Sequence, residues 1–224
     1  MSAPLHVAFR AGASGRWRVD AITGVVGASL PAAMRLDLVE APVLPSADGA
    51  DWILRGMTSN ARYAHRVELD RLALVQEGLG RSSATRAALI AIRKSEAWWA
   101  LAQDERRAIF EEQSRHVAIG LEYLPAVARR LHHARDLGEP FDFLTWFEYA
   151  PEDAAAFETM VSRLRLSPEW HYVDREVDIR LSRQSDASAS GRRRFAVSSQ
   201  QVVHPVPSEE VEVAKPRSPR AKTG

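Results

Sequence analysis

The spacing of apolar residues changes near residue 82, and this change constrains the fold more than any other feature of the sequence. Before it, short runs typical of β-strands are separated by turns that contain glycine and proline. We predict extended runs at 6–10, 16–23, 34–41, 51–58 and 64–75. The first part of the chain is therefore predicted to form a small β-sheet.

From residue 82 onward the pattern first favours helices. Residues 82–92 are rich in Ala, Leu and Ile, and residues 104–120 begin with Asp104, a residue type that caps helix N-termini. The second segment carries residues at helical spacing on one face, namely Ile109, Gln113, His116 and Gly120. We predict a helix over each segment, with the ring of His116 facing inward.

The last part of the body alternates between the two kinds of element. Residues 141–149 alternate as in a strand, residues 151–164 are predicted to be helical, and residues 170–181 form a final strand with a more polar face. Strands followed by helices and then by strand, helix and strand predict an α+β fold. The helices are expected on one face of a mostly antiparallel sheet.

The charge is distributed unevenly along the chain. The formal net charge is +1, but residues 184–224 contribute a net +3, so residues 1–183 are mildly acidic. This basic tail is rich in Ser and Pro and contains one aromatic residue, Phe195, so we predict that it is disordered. Its GRRR run can contact nucleic acid or anionic lipid, but a solubilising role is the ordinary interpretation, and no nucleic-acid partner is expected.

The absence of cysteine excludes several kinds of site. With no Cys among 224 residues, disulfides, cysteine-ligated metals and thiolate nucleophiles are impossible, and a metal must bind histidine, carboxylate, tyrosine or methionine. No secretory signal and no apolar run of membrane-spanning length is recognisable, so we predict a cytoplasmic protein with no membrane partner. Motifs for dinucleotide binding, P-loop chemistry and the nucleophile elbow of α/β-hydrolases are also missing.

The residues alone leave two interpretations open at several positions. His116 can be a buried histidine with an internal partner, or it can be the single axial ligand that a haem requires. Arg129 lies among apolar residues and would need an anionic partner if buried, but it can also be a surface charge. Trp98 and Trp99 can fill a core or form the walls of a porphyrin pocket.

Three segments carry a family resemblance. They are KSEAWWALAQDERRAIFEEQSRHVAIG, LPAVARRLHHARDLGEPFDFLTWFEYAPED and EWHYVDREVDIRLSR. In order and spacing they resemble the chlorite dismutase family, specifically its short and typically dimeric branch. The resemblance implies two ferredoxin-like units with antiparallel sheets and helices on the outer faces: a shortened β-rich unit at 1–63 and a haem-binding domain at 64–183. It also implies haem b and a homodimer.

Carried over position by position, the resemblance assigns roles to eight residues. His116 would be the axial ligand of the haem iron, and Arg129 the catalytic arginine above the opposite face of the haem. Glu169 would accept a hydrogen bond from the imidazole, and Lys94 would join that carboxylate. The remaining residues of the implied haem pocket are Trp98, Trp99, Trp146 and Gln76.

The resemblance implies an activity and two alternatives. The activity is conversion of chlorite to chloride and O2, by oxygen-atom transfer that gives a ferryl species and by recombination of hypochlorite with it. The first alternative is a coprohaem decarboxylase or a peroxidase of the same superfamily, and Arg129 is the residue that distinguishes the dismutase. The second is a non-catalytic haem-binding or sensing protein.

Overall fold

The structure is a computed structural model of the 224-residue chain. It describes residues 5–41, 46–58, 65–75 and 77–183. Gln76, one of the residues of the implied haem pocket, lies outside the described residues, and so does the tail at 184–224.

Eight strands form a closed barrel in which every pairing is antiparallel. In chain order they are β1 (His6–Gly12), β2 (Trp17–Val26), β3 (Arg35–Ala41), β4 (Trp52–Thr58), β5 (Arg86–Lys94), β6 (Ala128–His133), β7 (Phe143–Tyr149) and β8 (Val173–Ser182). Around the barrel the order is β1-β3-β2-β8-β5-β7-β6-β4. Closure pairs every strand edge, although β4 and β6 meet over only two residue pairs.

The barrel consists of two four-stranded units with the same strand order. Each unit runs fourth, first, third, second, as β4-β1-β3-β2 and as β8-β5-β7-β6. In the second unit, helices follow the first and third strands, which is the β-α-β-β-α-β sequence of a ferredoxin-like unit. No helix interrupts the described residues of the first unit. The predicted α+β fold with a shortened first unit is confirmed.

The helices are short, except for the first, which precedes the second unit, and the last, which lies between its third and fourth strands. They are α1 (Arg66–Val75), α2 (Glu96–Ala100), α3 (Gln103–Arg107), α4 (His116–Leu121) and α5 (Ala154–Arg165). A π-helical segment, Ala108–Gln113, continues α3, and short 3-10 turns precede α5 and β8. Among the described residues, no helix is long and apolar enough to cross a membrane.

Side chains on the two faces of the sheet form two separate cores. The barrel interior is filled by residues such as Phe9, Trp17, Leu89 and Trp146. The outer face of the second unit forms the other core, where Ile90 and Phe147 pack against Phe157 of α5 and Ile119 of α4. The space between this outer face and α4 is where the candidate site lies.

For two segments, the predicted type of secondary structure is wrong. Residues 64–75 were expected to be extended, but residues 66–75 form α1, in which Arg66 and Asp70 make an ion pair at the i,i+4 spacing of a helix (2.9 Å). Residues 82–92 were expected to be helical, but the apolar run belongs to β5. Because β5 is buried on both faces, its sequence lacks strand alternation and cannot be distinguished from a buried helix by period alone.

The predicted helix at 104–120 is interrupted. It divides into α3, the π-helical segment and α4, with a break at Ser114 and Arg115. Arg115 has a φ of 52°, the left-handed conformation, which costs a non-glycine residue about 1–2 kcal/mol. The strand at 141–149, the helix at 151–164 and the strand at 170–181 are confirmed with shifts of a few residues at their ends.

Candidate active site

His116 is the first residue of α4, and the break before it sets its position. Arg115 turns the chain in the left-handed conformation, and Glu111 then caps the new helix. The carboxylate of Glu111 accepts hydrogen bonds from the backbone N–H groups of Val117 (2.6 Å) and Ala118 (3.2 Å). His116 therefore stands at a fixed helix start, with the ring of Phe110 stacked on its own at 4.4 Å between centroids.

A buried carboxylate holds one ring nitrogen of His116. Nδ1 of His116 lies 2.7 Å from Oε2 of Glu169, whose residue is 4% exposed. An ionised carboxylate only accepts hydrogen bonds, so Nδ1 donates to it, and Nε2 is the ring nitrogen that remains for a metal. The His116 side chain is 28% exposed, so the ring is held from one side and accessible from another.

Lys94 binds the second oxygen of the same carboxylate. Its Nζ donates to Oε1 of Glu169 at 2.8 Å and to the backbone oxygen of Glu169 at 3.2 Å, and Lys94 is only 3% exposed. Burial by itself raises the pKa of the Glu169 carboxyl, but the charge of Lys94 and the contact with His116 outweigh it and lower that pKa to about 2. The carboxylate is therefore ionised at neutral pH.

Trp98 forms one wall of this buried ion pair. Its ring lies 4.6 Å from Nζ of Lys94 in a cation–π contact, and Tyr172 meets the ring edge-on. Ser114 ties the cluster to the break before α4, because its Oγ accepts the backbone N–H of Glu169 (2.9 Å). The chain segments around residues 94–98, 114–116 and 169–172 are therefore joined through side chains.

Arg129 lies on β6 with its guanidinium against α4. A Cβ built on Gly120 would stand 1.6 Å from Nη1 of Arg129, so only glycine leaves room for the side chain as placed. Gly120 is four residues after His116, hence on the same side of α4. Opposite Arg129, β7 carries Phe147, whose side chain belongs to the core on the outer face. His116 and Arg129 thus border the same space between helix and sheet.

Burial lowers the pKa of Arg129 to about 10, and the negative charge of Glu111 partly opposes this shift. Even so lowered, the pKa keeps the guanidinium protonated at neutral pH. The site therefore combines an imidazole that is held by a carboxylate with a fixed positive charge.

Trp99 is connected to the cluster through Asp142, which sequence reasoning missed. Asp142 is buried, and its Oδ2 accepts the backbone N–H of Lys94 (2.7 Å) and Nε1–H of Trp99 (3.2 Å). Phe143 stacks on one side of Trp99, and the Arg135 guanidinium lies 4.1 Å from its ring. An acidic residue between Phe141 and Phe143, immediately before a strand, was the signal available in the sequence.

Trp146 does not belong to this site, which corrects the prediction for it. Strand alternation turns Trp146 to the barrel interior, where its ring packs against Phe9 and Trp17 and its Nε1 donates to Glu148 (2.9 Å). Its neighbour Phe147 faces the site instead. The expectation failed because adjacent residues of a strand point to opposite faces.

Three further residues that build the site were also missed. Glu111 caps α4, Gly120 makes room for Arg129, and Ser114 fixes Glu169. A single predicted helix over residues 104–120 does not reveal these three roles. They arise because the chain breaks at Arg115 and a new helix, α4, begins at His116. The glycine within an otherwise helical pattern was the one usable signal.

The donor set fits a haem with a single protein ligand. Nε2 of His116 is the ring nitrogen that does not contact Glu169, and the ring is oriented by a carboxylate, the arrangement that raises the basicity of a metal-bound histidine. Apolar and aromatic side chains on the outer face of the sheet supply the surroundings that a porphyrin requires.

Comparisons with known proteins identify the relatives of this chain. The family model described as chlorite dismutase matches residues 47–185. A dimeric chlorite dismutase from Nitrobacter winogradskyi is 58% identical, with a TM-score of 0.73 over 79% of this chain and 99% of that one.

More distant structures share the fold. A mutant chlorite dismutase from Candidatus Nitrospira defluvii in complex with cyanide is 18% identical, with a TM-score of 0.58 over 82% of this chain and 92% of that one. The comparison with curated proteins finds no match. The match to the family model and the 58% identity together show that this chain belongs to the chlorite dismutase family.

Proposed function

We propose that the protein is a haem b-dependent chlorite dismutase, an oxidoreductase that converts chlorite to chloride and O2. Family membership and the 58% identical dimeric chlorite dismutase support the reaction. The observation that carries the proposal is the hydrogen bond between His116 and Glu169 on the same side of α4 as the Arg129 guanidinium. No observation favours decarboxylation of coprohaem, peroxidation or a purely sensory role.

His116 would hold the haem through Nε2. Glu169 keeps the proton on Nδ1 and increases the electron donation of the ring, while Lys94 compensates the charge of the buried carboxylate. The haem supplies the oxygen-atom transfer and the O–O bond formation, which no side chain of the chain can perform. Trp98 and Trp99 would support these residues without contacting the iron ligand: Trp98 packs on Lys94, and Trp99 donates a hydrogen bond to Asp142.

Arg129 would bind the anionic substrate and retain its fragments. A guanidinium does not serve as a base here, but its N–H groups can orient chlorite by charge-assisted hydrogen bonds. The same contacts would hold hypochlorite in the site until its oxygen is joined to the oxygen already transferred and chloride is released, so that little hypochlorite escapes. Gly120 matters because it provides the space in which the guanidinium lies.

We also propose a homodimer, as in the relative from Nitrobacter winogradskyi, whose structure is of a dimeric enzyme. The cytoplasmic location predicted from the sequence stays part of this proposal. Sedimentation of the purified protein checks the assembly, with twice the chain mass of 24.9 kDa as the expected result.

The function is tested with haem-loaded protein, chlorite and an oxygen electrode. We expect one O2 and one chloride per chlorite. Arg129→Ala should keep the haem, release more hypochlorite and bleach sooner. Arg130→Ala is the matched control, because Arg130 is the next residue on β6, turns to the other face and pairs with Glu40. Bound haem without O2 release in the unmodified protein would refute the proposal.

The iron ligand is tested separately by absorption spectroscopy. We expect His116→Ala to lose the spectrum of a histidine-ligated ferric haem. His171→Ala is the control, since His171 is an exposed histidine two residues from Glu169. If His116→Ala leaves the spectrum unchanged, another residue holds the iron.

A further inference from the structure

A cleft lined by five arginines contains none of the residues of the candidate active site. Its volume is about 630 Å³, and the arginines are Arg16, Arg18, Arg35, Arg86 and Arg183. Arg86 is the first residue of β5 and Lys94 is the last. Nine residues of strand span roughly 26–30 Å, so the cleft and the cluster of Lys94 with Glu169 are at opposite ends of the barrel wall.

Three of these arginines stand in one row across adjacent strands. In the strand register, Arg35 of β3 is opposite Arg18 of β2, Arg18 is opposite Ser182 of β8, and Ser182 is opposite Arg86 of β5. Residues that pair in this way point to the same face of the sheet. With strands about 4.8 Å apart, the row spans roughly 14 Å. Like charges placed directly opposite each other, as Arg18 and Arg35 are, destabilise a sheet.

The loop before β2 brings a fourth arginine to the row. Gly15 lies against the backbone of Leu36, where an added Cβ would come within 2.7 Å of the backbone carbon. The backbone N–H of Arg16 donates to Oδ1 of Asp37 at 2.7 Å, which fixes the loop on β3. A close backbone approach that requires glycine therefore places Arg16 beside Arg35.

Arg183 closes the cleft on the side of β8. Its guanidinium donates to the backbone oxygens of Arg81 (2.6 Å) and Ala84 (3.2 Å) and lies over the ring of Trp17. These contacts hold the guanidinium of Arg183 in place at the edge of the cleft.

Few carboxylates balance this charge. Asp20 pairs with Arg18 at 2.7 Å and lies 3.9 Å from Arg86, and the Ser182 hydroxyl donates to Asp20 while accepting from Arg18. Within the part of the chain that the structure describes, no carboxylate pairs with the guanidinium of Arg16 or Arg35. The side chains of Arg18 and Arg86 are 64% and 44% exposed, so they are accessible to a ligand.

We propose that this cleft binds a small molecule with two or more phosphoryl groups, as an anion site separate from the chlorite site. Guanidinium groups bind phosphate oxygens in pairs, and a row of roughly 14 Å is longer than one phosphate can span. A nucleic acid is a poorer match, because Trp17 is buried beneath Arg183 and offers no face for base stacking.

The test is thermal unfolding of the full-length protein in tripolyphosphate, compared with sodium chloride of equal ionic strength. At a concentration about a hundred times the Kd, binding should raise the Tm by on the order of 5 °C. Arg35→Gln should have two effects. Without the anion it should raise the Tm, because it removes a repulsive pair, and with the anion it should lose most of the rise.

The control variant is Arg71→Gln, which removes the same charge from an exposed position on α1 and should keep the full response. The site is refuted if tripolyphosphate acts no better than sodium chloride, or if Arg35→Gln responds as the unmodified protein does. A response that Arg129→Ala abolishes would place the anion at the candidate active site instead. Stronger stabilisation by a single-stranded oligonucleotide through Arg35 would overturn the small-molecule ligand. None of these outcomes depends on chlorite turnover.

Discussion

Glu169 is the residue on which the candidate active site depends most, because two buried neighbours share its carboxylate. Lys94 binds one oxygen and His116 the other, so the carboxylate both neutralises a buried ammonium and orients the imidazole. Removing one member of a buried pair leaves the other charge unpaired in a region from which water is excluded. We therefore expect that replacing any one of the three residues disrupts the contacts between the other two as well.

We predict that Glu169→Gln lowers the free energy of unfolding by about 3–5 kcal/mol, because Lys94 stays buried and charged without its partner. Denaturant unfolding measures this loss. The double variant Lys94→Met with Glu169→Gln removes the unpaired charge and should recover part of it. A double variant less stable than Glu169→Gln would contradict this explanation. In haem-loaded protein, the iron–histidine stretching frequency should also fall in Glu169→Gln, an effect that a purely structural carboxylate would not produce.

His132 makes stability depend on pH. It is completely buried in the barrel interior, and its Nδ1 lies 3.0 Å from the backbone oxygen of Leu144. Burial lowers the pKa of His132 from 6.5 to about 4. Between these values the unfolded chain binds the proton and the folded chain does not, so the contribution is complete above pH 6.5 and falls as the pH approaches 4.

The expected loss across this interval is up to about 3 kcal/mol, at 1.36 kcal/mol per pKa unit. It is measured as the free energy of unfolding at a series of pH values. His132→Gln cannot titrate and should give a shallower decline, whatever its stability at neutral pH. Parallel curves for the two proteins would show that His132 does not cause the pH dependence.

At the scale of elements, α4 and β6 form the site only because α4 carries glycine where Arg129 meets it. We predict that Gly120→Ala moves the guanidinium and lowers the rate of chlorite conversion about as much as Arg129→Ala does. In the free energy of unfolding, the higher helix propensity of alanine should offset part of the cost of the altered packing. Gly78→Ala is the matched control, since nothing lies within 4 Å of its added Cβ. Full activity in Gly120→Ala would mean that the position of Arg129 against α4 is not needed.

The individual helices and strands differ in how far the sequence predicts them. The strand at 141–149 was visible because aromatic residues recur at alternate positions, and the helix that follows because it has one buried and one exposed face. Burial on both faces hid β5, and a conformation at Arg115 that no period reveals hid the break before α4. His116, Glu169 and Lys94 came from the family resemblance, since their contacts join residues up to 75 positions apart. The sequence around His116 or Glu169 does not indicate which distant residue each of them contacts.

At the scale of the whole molecule, two units of equal strand order close one barrel, but among the described residues helices cover only the second. The last strand, β8, ends at Ser182, and the backbone N–H of Arg183 still bonds to Thr85. The boundary at residue 63 and the independence of the tail at 184–224 stay proposals. The family model, which matches residues 47–185, crosses the former and ends close to the latter.

We predict that a chain truncated after Arg183 keeps its free energy of unfolding, its haem and its chlorite conversion, because all eight strands are complete at that point. Denaturant unfolding, haem absorbance and the oxygen electrode measure the three properties. A loss of haem on truncation would show that the tail takes part in the folded protein.

The origin of the oxygen atoms tests the central proposal most directly. If Arg129 retains hypochlorite until its oxygen is joined to the oxygen already transferred, both atoms of each O2 come from the same chlorite ion. A mixture of fully labelled and unlabelled chlorite in unlabelled water, followed by mass spectrometry of the gas, should therefore give O2 in which both atoms carry the label or neither does. O2 with one labelled and one unlabelled atom, or no O2 from haem-loaded protein, would contradict the account.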